Sequence, residues 1–276
     1  MRCFVLLLLV SMWTSSWASS GQERATAAGQ GLLGSPAPQI ALKTIDGQTI
    51  DLGKLYGKKA VYLKFWATWC VPCREQMPHF ERTFRNAGSD LAVIAVNAGW
   101  DDSIDDVRKY RRSLKIDMPI VIDDGRLAEA FRLRVTPQHI VIGRDGRIQY
   151  IGHLADARLD AALRDARKPA AQTASAPSTD PTPQAHYAVG DRLPMFTAST
   201  LDGIAFDTHA PDAKRPTVLV FLSPWCESYF ADSRPALSAS CRAVREQIAT
   251  LSSDRRVHWL GIASGLWTTQ GDLSAY

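Results

Sequence analysis

The sequence predicts an α/β fold, a mixed central sheet flanked by helices, followed by a second, incomplete copy of the same domain. Three observations carry this. Strand-length apolar runs at 60–66, 91–97 and 120–122 alternate with longer helical patterns. Two further runs, 139–142 and 147–151, meet across Arg144, Asp145 and Gly146 as a hairpin, so the sheet holds both strand directions. A shift of 156 positions lays Gly34, Asp46, Gly47, Leu63, Phe65, Trp69 and Cys70 on Gly190, Asp202, Gly203, Leu219, Phe221, Trp225 and Cys226 without a gap. A repeat of that length is a whole domain.

Taken in order, residues 36–42 and 49–52 form a short hairpin around Asp46 and Gly47. Residues 60–66 are apolar on both faces, as a central strand requires. Residues 70–85 follow as a helix bent at Pro78. LAVIAVN, 91–97, is a second buried strand. Residues 103–114 form a helix opened by Ser103, with acids in its first turns where the helix dipole favours them. A short helix at 127–131 precedes the hairpin, and an amphipathic helix at 155–166 closes the domain. Residues 168–187 are rich in Pro, Ala, Ser and Thr, bury no core and read as an extended linker. The second domain, 188–276, follows the first as far as Tyr276, the counterpart of Tyr110. Nothing matches 111–168, which reads as a partial sequence because an open central sheet edge is costly.

The chain has 276 residues, enough for two domains, and 46% hydrophobic residues, enough to pack them. A net charge of +4, with bases scattered among acids, excludes an argument for nucleic acid. The start differs from the rest. Met1 and Arg2 precede an apolar run at 3–10, and small residues at 15–20 include Ser16 and Ala18, the spacing of a cleavage after Ala18. Residues 1–18 therefore read as a signal peptide, with an uncleaved membrane anchor as the alternative, and 19–32 as a flexible lead to a first domain at 33–167. Either way the chain is exported to where disulfides persist. Cys3 leaves with the signal, and Cys70, Cys73, Cys226 and Cys241 remain.

Cys70 and Cys73 stand where the strand 60–66 turns into a helix. A thiol there faces unsatisfied N–H groups and the positive end of the helix dipole, both of which favour the thiolate that performs disulfide exchange. A cysteine three residues on lies one turn away, within reach of a disulfide. A zinc site needs a second ligand pair, and no other C-x-x-C or H-x3-H exists. The pair is redox-active, and the chemistry calls for neither metal nor cofactor.

The stretch WATWCVPCREQMP at 66–78, RVTP at 134–137 and the turn GRDGRI at 143–148 resemble the exported TlpA/ResA-like thiol-disulfide oxidoreductases of the thioredoxin superfamily. The resemblance covers 33 to about 167 and implies a thioredoxin fold. It implies that Cys70 is the exposed attacking thiol and Cys73 the buried resolving thiol, and that Thr136–Pro137 is a cis bond exposing backbone to an extended substrate. Trp69 is expected to pack around the active helix and to form part of the substrate-facing surface, and Pro72 inside the C-x-x-C fits a reductant. The resemblance also implies an active dithiol recharged by a membrane electron donor of the DsbD/CcdA type, with disulfides of exported proteins, such as apocytochrome c or copper-site cysteines, as substrates. The location implied is the periplasm. Two places depart from the family pattern. Lys64 stands where thioredoxins often carry a buried acid, and Gln76, with Glu75 before it, where relatives often have Glu. Lys64 is either a desolvated proton partner of Cys73 or a lysine whose head reaches water. His79, His139 and His153 are expected to cap or line surfaces, and Trp66 to pack around the active helix.

In the second domain the motif reads SPWCESY. Cys226 persists, Ser228 replaces Pro72 and Tyr229 replaces Cys73, so one thiol cannot complete attack and release. Cys241 lies 15 residues on, about 22 Å along a straight helix, and only a break near Pro235 brings the two together. A degenerate domain for binding or dimerisation is favoured over a working single thiol or a Cys226–Cys241 bridge. For the whole chain, two competing readings are a dithiol oxidase or isomerase, and a tandem binding module that does not turn over.

Overall fold

The computed structural model describes residues 21–100, 102–169, 187–192, 196–207, 215–232, 234–263 and 267–276. The signal peptide and nearly all of the linker expected from the sequence lie outside them. The first unit runs α1 (Gly21–Gly29), β1 (Ala41–Lys43), β2 (Thr49–Asp51), α2 (Leu52–Leu55), β3 (Ala60–Trp66), α3 (Val71–Arg85) and β4 (Leu91–Asn97). It continues with α4 (Ile104–Leu114), β5 (Ile120–Ile122), α5 (Arg126–Ala130), β6 (Gln138–Ile142), β7 (Ile148–Gly152) and α6 (Ala157–Ala166).

The central sheet has the order β5-β4-β3-β6-β7, parallel through β5, β4 and β3 and antiparallel at β6 and β7. β3 is buried along its whole length, so its alternation sorts side chains between two cores. Val61, Leu63 and Phe65 join Leu52, Leu127, Phe131 and Ile140 on one face. Tyr62 and Trp66 join Met77, Phe80, Tyr110 and Leu159 on the other. Lys64 has the parity of Tyr62 and Trp66 and is carried under α3 in spite of its charge. Edge-to-face contact of Tyr62 with Phe80, at 4.8 Å between centroids, fastens α3 to β3. α4 is opened by Ser103, whose hydroxyl and the Asp106 carboxylate complete a reciprocal cap.

The expected flexible lead at 19–32 is corrected, because Gly21–Gly29 is helical and lies on β7. The reason is its small residues. Ala25 and Ala28 are buried, and Gly29 brings the backbone so close to Ile151 that an added Cβ would sit 3.3 Å away. α3 runs as one helix through Pro78.

The second unit contains the hairpin β8 (Thr197–Ser199) and β9 (Ala205–Asp207) and the parallel pair β10 (Thr217–Leu222) and β11 (His258–Ala263). Thr217 faces His258 as Val61 faces Ala92, which mirrors the register of β3 and β4. Between the strands lie α7 (Cys226–Phe230) and α8 (Pro235–Leu251), and α9 (Gln270–Ala275) follows β11. Where the first unit has one continuous helix, the second is interrupted before Pro235, the first residue of α8. The interruption folds α8 back, so Cys226 and Cys241 form a disulfide with Cα atoms 6.2 Å apart. Glu227 braces the corner, accepting from Ser238 Oγ at its carbonyl and from Arg242 and Arg245 at its carboxylate.

Candidate active site

β3 ends at Trp66, and the loop that follows is pinned before α3 starts. The Asp102 carboxylate accepts from the Thr68 N–H at 2.7 Å, from the Thr68 hydroxyl, and from Asn97 Nδ2 at 2.7 Å. Cys70 is the N-cap of α3, with its sulfur accepting from the Cys73 N–H at 3.2 Å. Pro72 falls in the first turn, where its missing N–H costs nothing. Cys70 and Cys73 form a disulfide with Cα atoms 5.2 Å apart. The register that sets Phe65 against Gln138 puts Thr136 and Pro137, joined by a cis bond, at the same sheet end as the cysteine loop.

Beneath the cysteines lies a buried polar cluster. Lys64 is 0% exposed, donates to the Cys73 carbonyl at 3.3 Å and rests over the Phe80 ring at 5.4 Å. Its head does not reach water, and burial lowers its pKa from 10.5 to about 7. Across the sheet its register partner is His139, also fully buried. Burial, then the Lys64 charge, hold His139 well below the usual histidine pKa, so it is neutral. One arrangement satisfies the neutral ring. Tyr62 O–H donates to Nδ1 at 2.8 Å, Nε2–H donates to Gln76 Oε1 at 2.8 Å, and Gln76 Nε2 donates to the His153 carbonyl at 3.3 Å. His153 Nδ1 in turn donates to the Pro137 carbonyl at 2.7 Å, which ties the cis-proline loop to the cluster.

Among the residues singled out from the sequence, Cys70, Cys73, Trp69, Pro72 and Lys64 gather at one site, with Thr136 and Pro137 at the same end of the sheet. Three expectations are corrected. His139 and His153 are buried participants rather than surface caps, because β6 and the turn after β7 carry them inward; His79 alone sits at a partly exposed place, paired with Asp160 at 3.0 Å. Tyr62 carries no signal in the sequence, whereas Gln76 is marked by standing where relatives often have Glu. Most importantly, Cys70 is not exposed in the closed structure; it is 1% exposed. The cover is the second unit. Trp225 stacks on Trp69 at 6.1 Å, and Tyr229 and Phe230 meet the same indole edge-on at 6.1 and 5.7 Å. Trp66 packs on Tyr110 of α4 at 4.8 Å.

Residues 33–151 match the model of the AhpC/TSA family. Thioredoxin-like protein YneN of Bacillus subtilis (strain 168) is 36% identical over 119 residues, 43% of this chain and 69% of that protein. Thiol-disulfide oxidoreductase ResA of the same organism is 32% identical over 117 residues, 42% of this chain and 64% of that protein. The chain therefore spans about two thirds of the length of these curated relatives. Among solved structures, the exposed lipoprotein thioredoxin Etrx1 of Streptococcus pneumoniae strain TIGR4 is 28% identical, covering 47% of this chain and 98% of that one, with a TM-score of 0.42.

Proposed function

The chain belongs to the AhpC/TSA family of thioredoxin-like proteins and is a thiol-disulfide oxidoreductase, and on that premise we propose that it reduces disulfides of exported proteins with Cys70 and Cys73. The observation that carries the reading is the capping of α3 by Cys70. A Cys70 thiolate keeps the Cys73 N–H as a donor and sits at the positive end of a 15-residue helix, so reduction leaves a stabilised nucleophile.

Reduced Cys70 attacks a substrate disulfide, and one substrate sulfur leaves as thiolate. Cys73 loses its proton and attacks the Cys70 sulfur, releasing the second substrate thiol and closing the Cys70–Cys73 bond. Lys64 is the proton partner in this reading, because near neutral pH its amine is divided between charged and neutral forms. Support comes from its burial below Cys73 and the hydrogen bond between them. The neutral His139 and Gln76 hold that side of the buried cluster without adding charge.

Among the described residues no helix is long and apolar enough to cross a membrane. The leader-like start and its small-residue cleavage spacing support export to the periplasm. A dithiol recharged there needs a membrane electron donor, of the DsbD/CcdA type suggested by the resemblance, and substrates of the apocytochrome c or metal-site kind fit its direction. The test is insulin reduction by the intact chain with dithiothreitol as electron source. Turnover by the wild type that disappears in Cys70→Ser supports the reading, and equal rates for the two overturn it.

A further inference from the structure

The second unit does not merely cover the first. It meets the Cys70 turn with its own equivalent turn. Trp225 and Cys226 are the repeat counterparts of Trp69 and Cys70, and the two tryptophans stack with planes 27° apart. Cys226 packs against the apolar cluster that contains both Cys70 and Cys73, whereas Cys241 stands outside it. Further contacts hold the second unit over the cis-proline end. The Trp267 N–H donates to the Arg134 carbonyl at 2.9 Å, the Trp267 ring meets His153 at 5.9 Å, and Asp272 pairs with Arg24 at 3.3 Å. These are the places an outside disulfide would need, and a unit that carries a disulfide of its own occupies them.

We propose that Cys226–Cys241 is a second redox-active disulfide and the internal electron acceptor of the Cys70/Cys73 dithiol. The inference rests on the dithiol reading above. In the docked form the Cys70 thiolate attacks the Cys226 sulfur, the Cys226–Cys241 bond breaks, and Cys241 leaves as thiolate and takes a proton from solvent. Cys73, deprotonated, then attacks the Cys70 sulfur and Cys226 leaves as thiolate. Two electrons and two protons have moved: the first pair is oxidised to a disulfide and the second reduced to a dithiol. An external dithiol recharges Cys70 and Cys73 when the units part, since the docked Cys70 is out of reach. The role suits the departure at Tyr229. The second unit needs no cysteine there, because the break before α8 supplies Cys241 as the resolving partner from a different direction.

The experiment uses the full chain carrying Cys73→Ser, isolated with Cys226–Cys241 oxidised and Cys70 free. After incubation at mildly alkaline pH and a quench with N-ethylmaleimide, peptides are mapped without reductant. A Cys70–Cys226 linked peptide within the monomer, with the label on Cys241, is expected. Label on Cys70 alone, with Cys226–Cys241 intact, overturns the proposal. A second measurement does not depend on that variant. A tethered partner acts at about millimolar effective concentration, so in a single turnover started from reduced Cys70 and Cys73 the wild type should reduce Cys226–Cys241 about a hundredfold faster than dithiothreitol at about 10 µM does in Cys70→Ser. Equal rates overturn it. Insulin reduction by the wild type separates the two claims: if it persists while both relay readouts fail, the relay falls and the dithiol reading stands.

Discussion

Replacing Lys64 with methionine tests the buried amine directly, because the side chains are similar in length and only one can carry charge. The folded chain holds Lys64 at a pKa of about 7 against an ordinary value of 10.5. Between those values the unfolded chain binds a proton that the folded chain does not, so stability rises with pH across the window. Below the lower value both states are protonated and the full cost of burying the ammonium is felt; above the upper one the cost is gone. At 1.36 kcal/mol per pH unit, the whole cost is about 5 kcal/mol. Lys64→Met removes it at every pH. Urea unfolding of the oxidised full chain, wild type beside variant, cancels the titration of groups that do not feel Lys64, and His139 and His153, which do, are both held below 6.5 and so fall under the window. The wild type should gain about 3 kcal/mol on the variant between about pH 7 and about pH 9.5. Parallel stability curves would mean that the ammonium is solvated or ion-paired, and would remove Lys64 from the proton path.

Three other outcomes follow from the same geometry. In the reduced chain, Lys64→Met should raise the Cys73 thiol pKa by about 1 to 3 pH units, read from alkylation rate against pH; an unchanged value removes the proposed partnership. Trp225→Ala removes a ring stacked on Trp69, worth about 1.4 kcal/mol, so reduced Cys70 should alkylate about tenfold faster; no acceleration would show that something other than this stack covers the sulfur. Phe80→Ala, at a fully buried ring between α3 and β3, should cost about 3–5 kcal/mol in urea unfolding, and a loss below about 1 kcal/mol would show that α3 is held elsewhere.

The order of strands and helices in the first unit was legible because each rests on a local pattern. A run apolar on both faces but for Lys64, as in 60–66, lies at strand length between turn signals and reads as a strand covered twice, and Ser103 with acids behind it marks a helix start. The cysteine motif was legible for the same reason, since strand, turn and helix are neighbours in sequence. α1 was not, because small polar residues specify a helix only when a surface such as β7 receives them. His139 was equally hidden. Its meeting with Lys64 is a matter of strand register across 74 intervening positions, and its neutrality follows from burial that no local pattern encodes.

Sequence alone determined that two cysteines one helical turn apart sit at a helix start, and that the second domain keeps one of them. Tertiary structure decided what happens to each. Pairing of Cys226 with Cys241 required the chain to break and turn back before Pro235, and the closing over Cys70 required two repeats to dock through their equivalent tryptophans. Both are contacts between segments far apart along the chain. Their energy comes from apolar surface removed from water in three dimensions, and propensity, which acts over a few residues, carries no information about which distant surface will supply it.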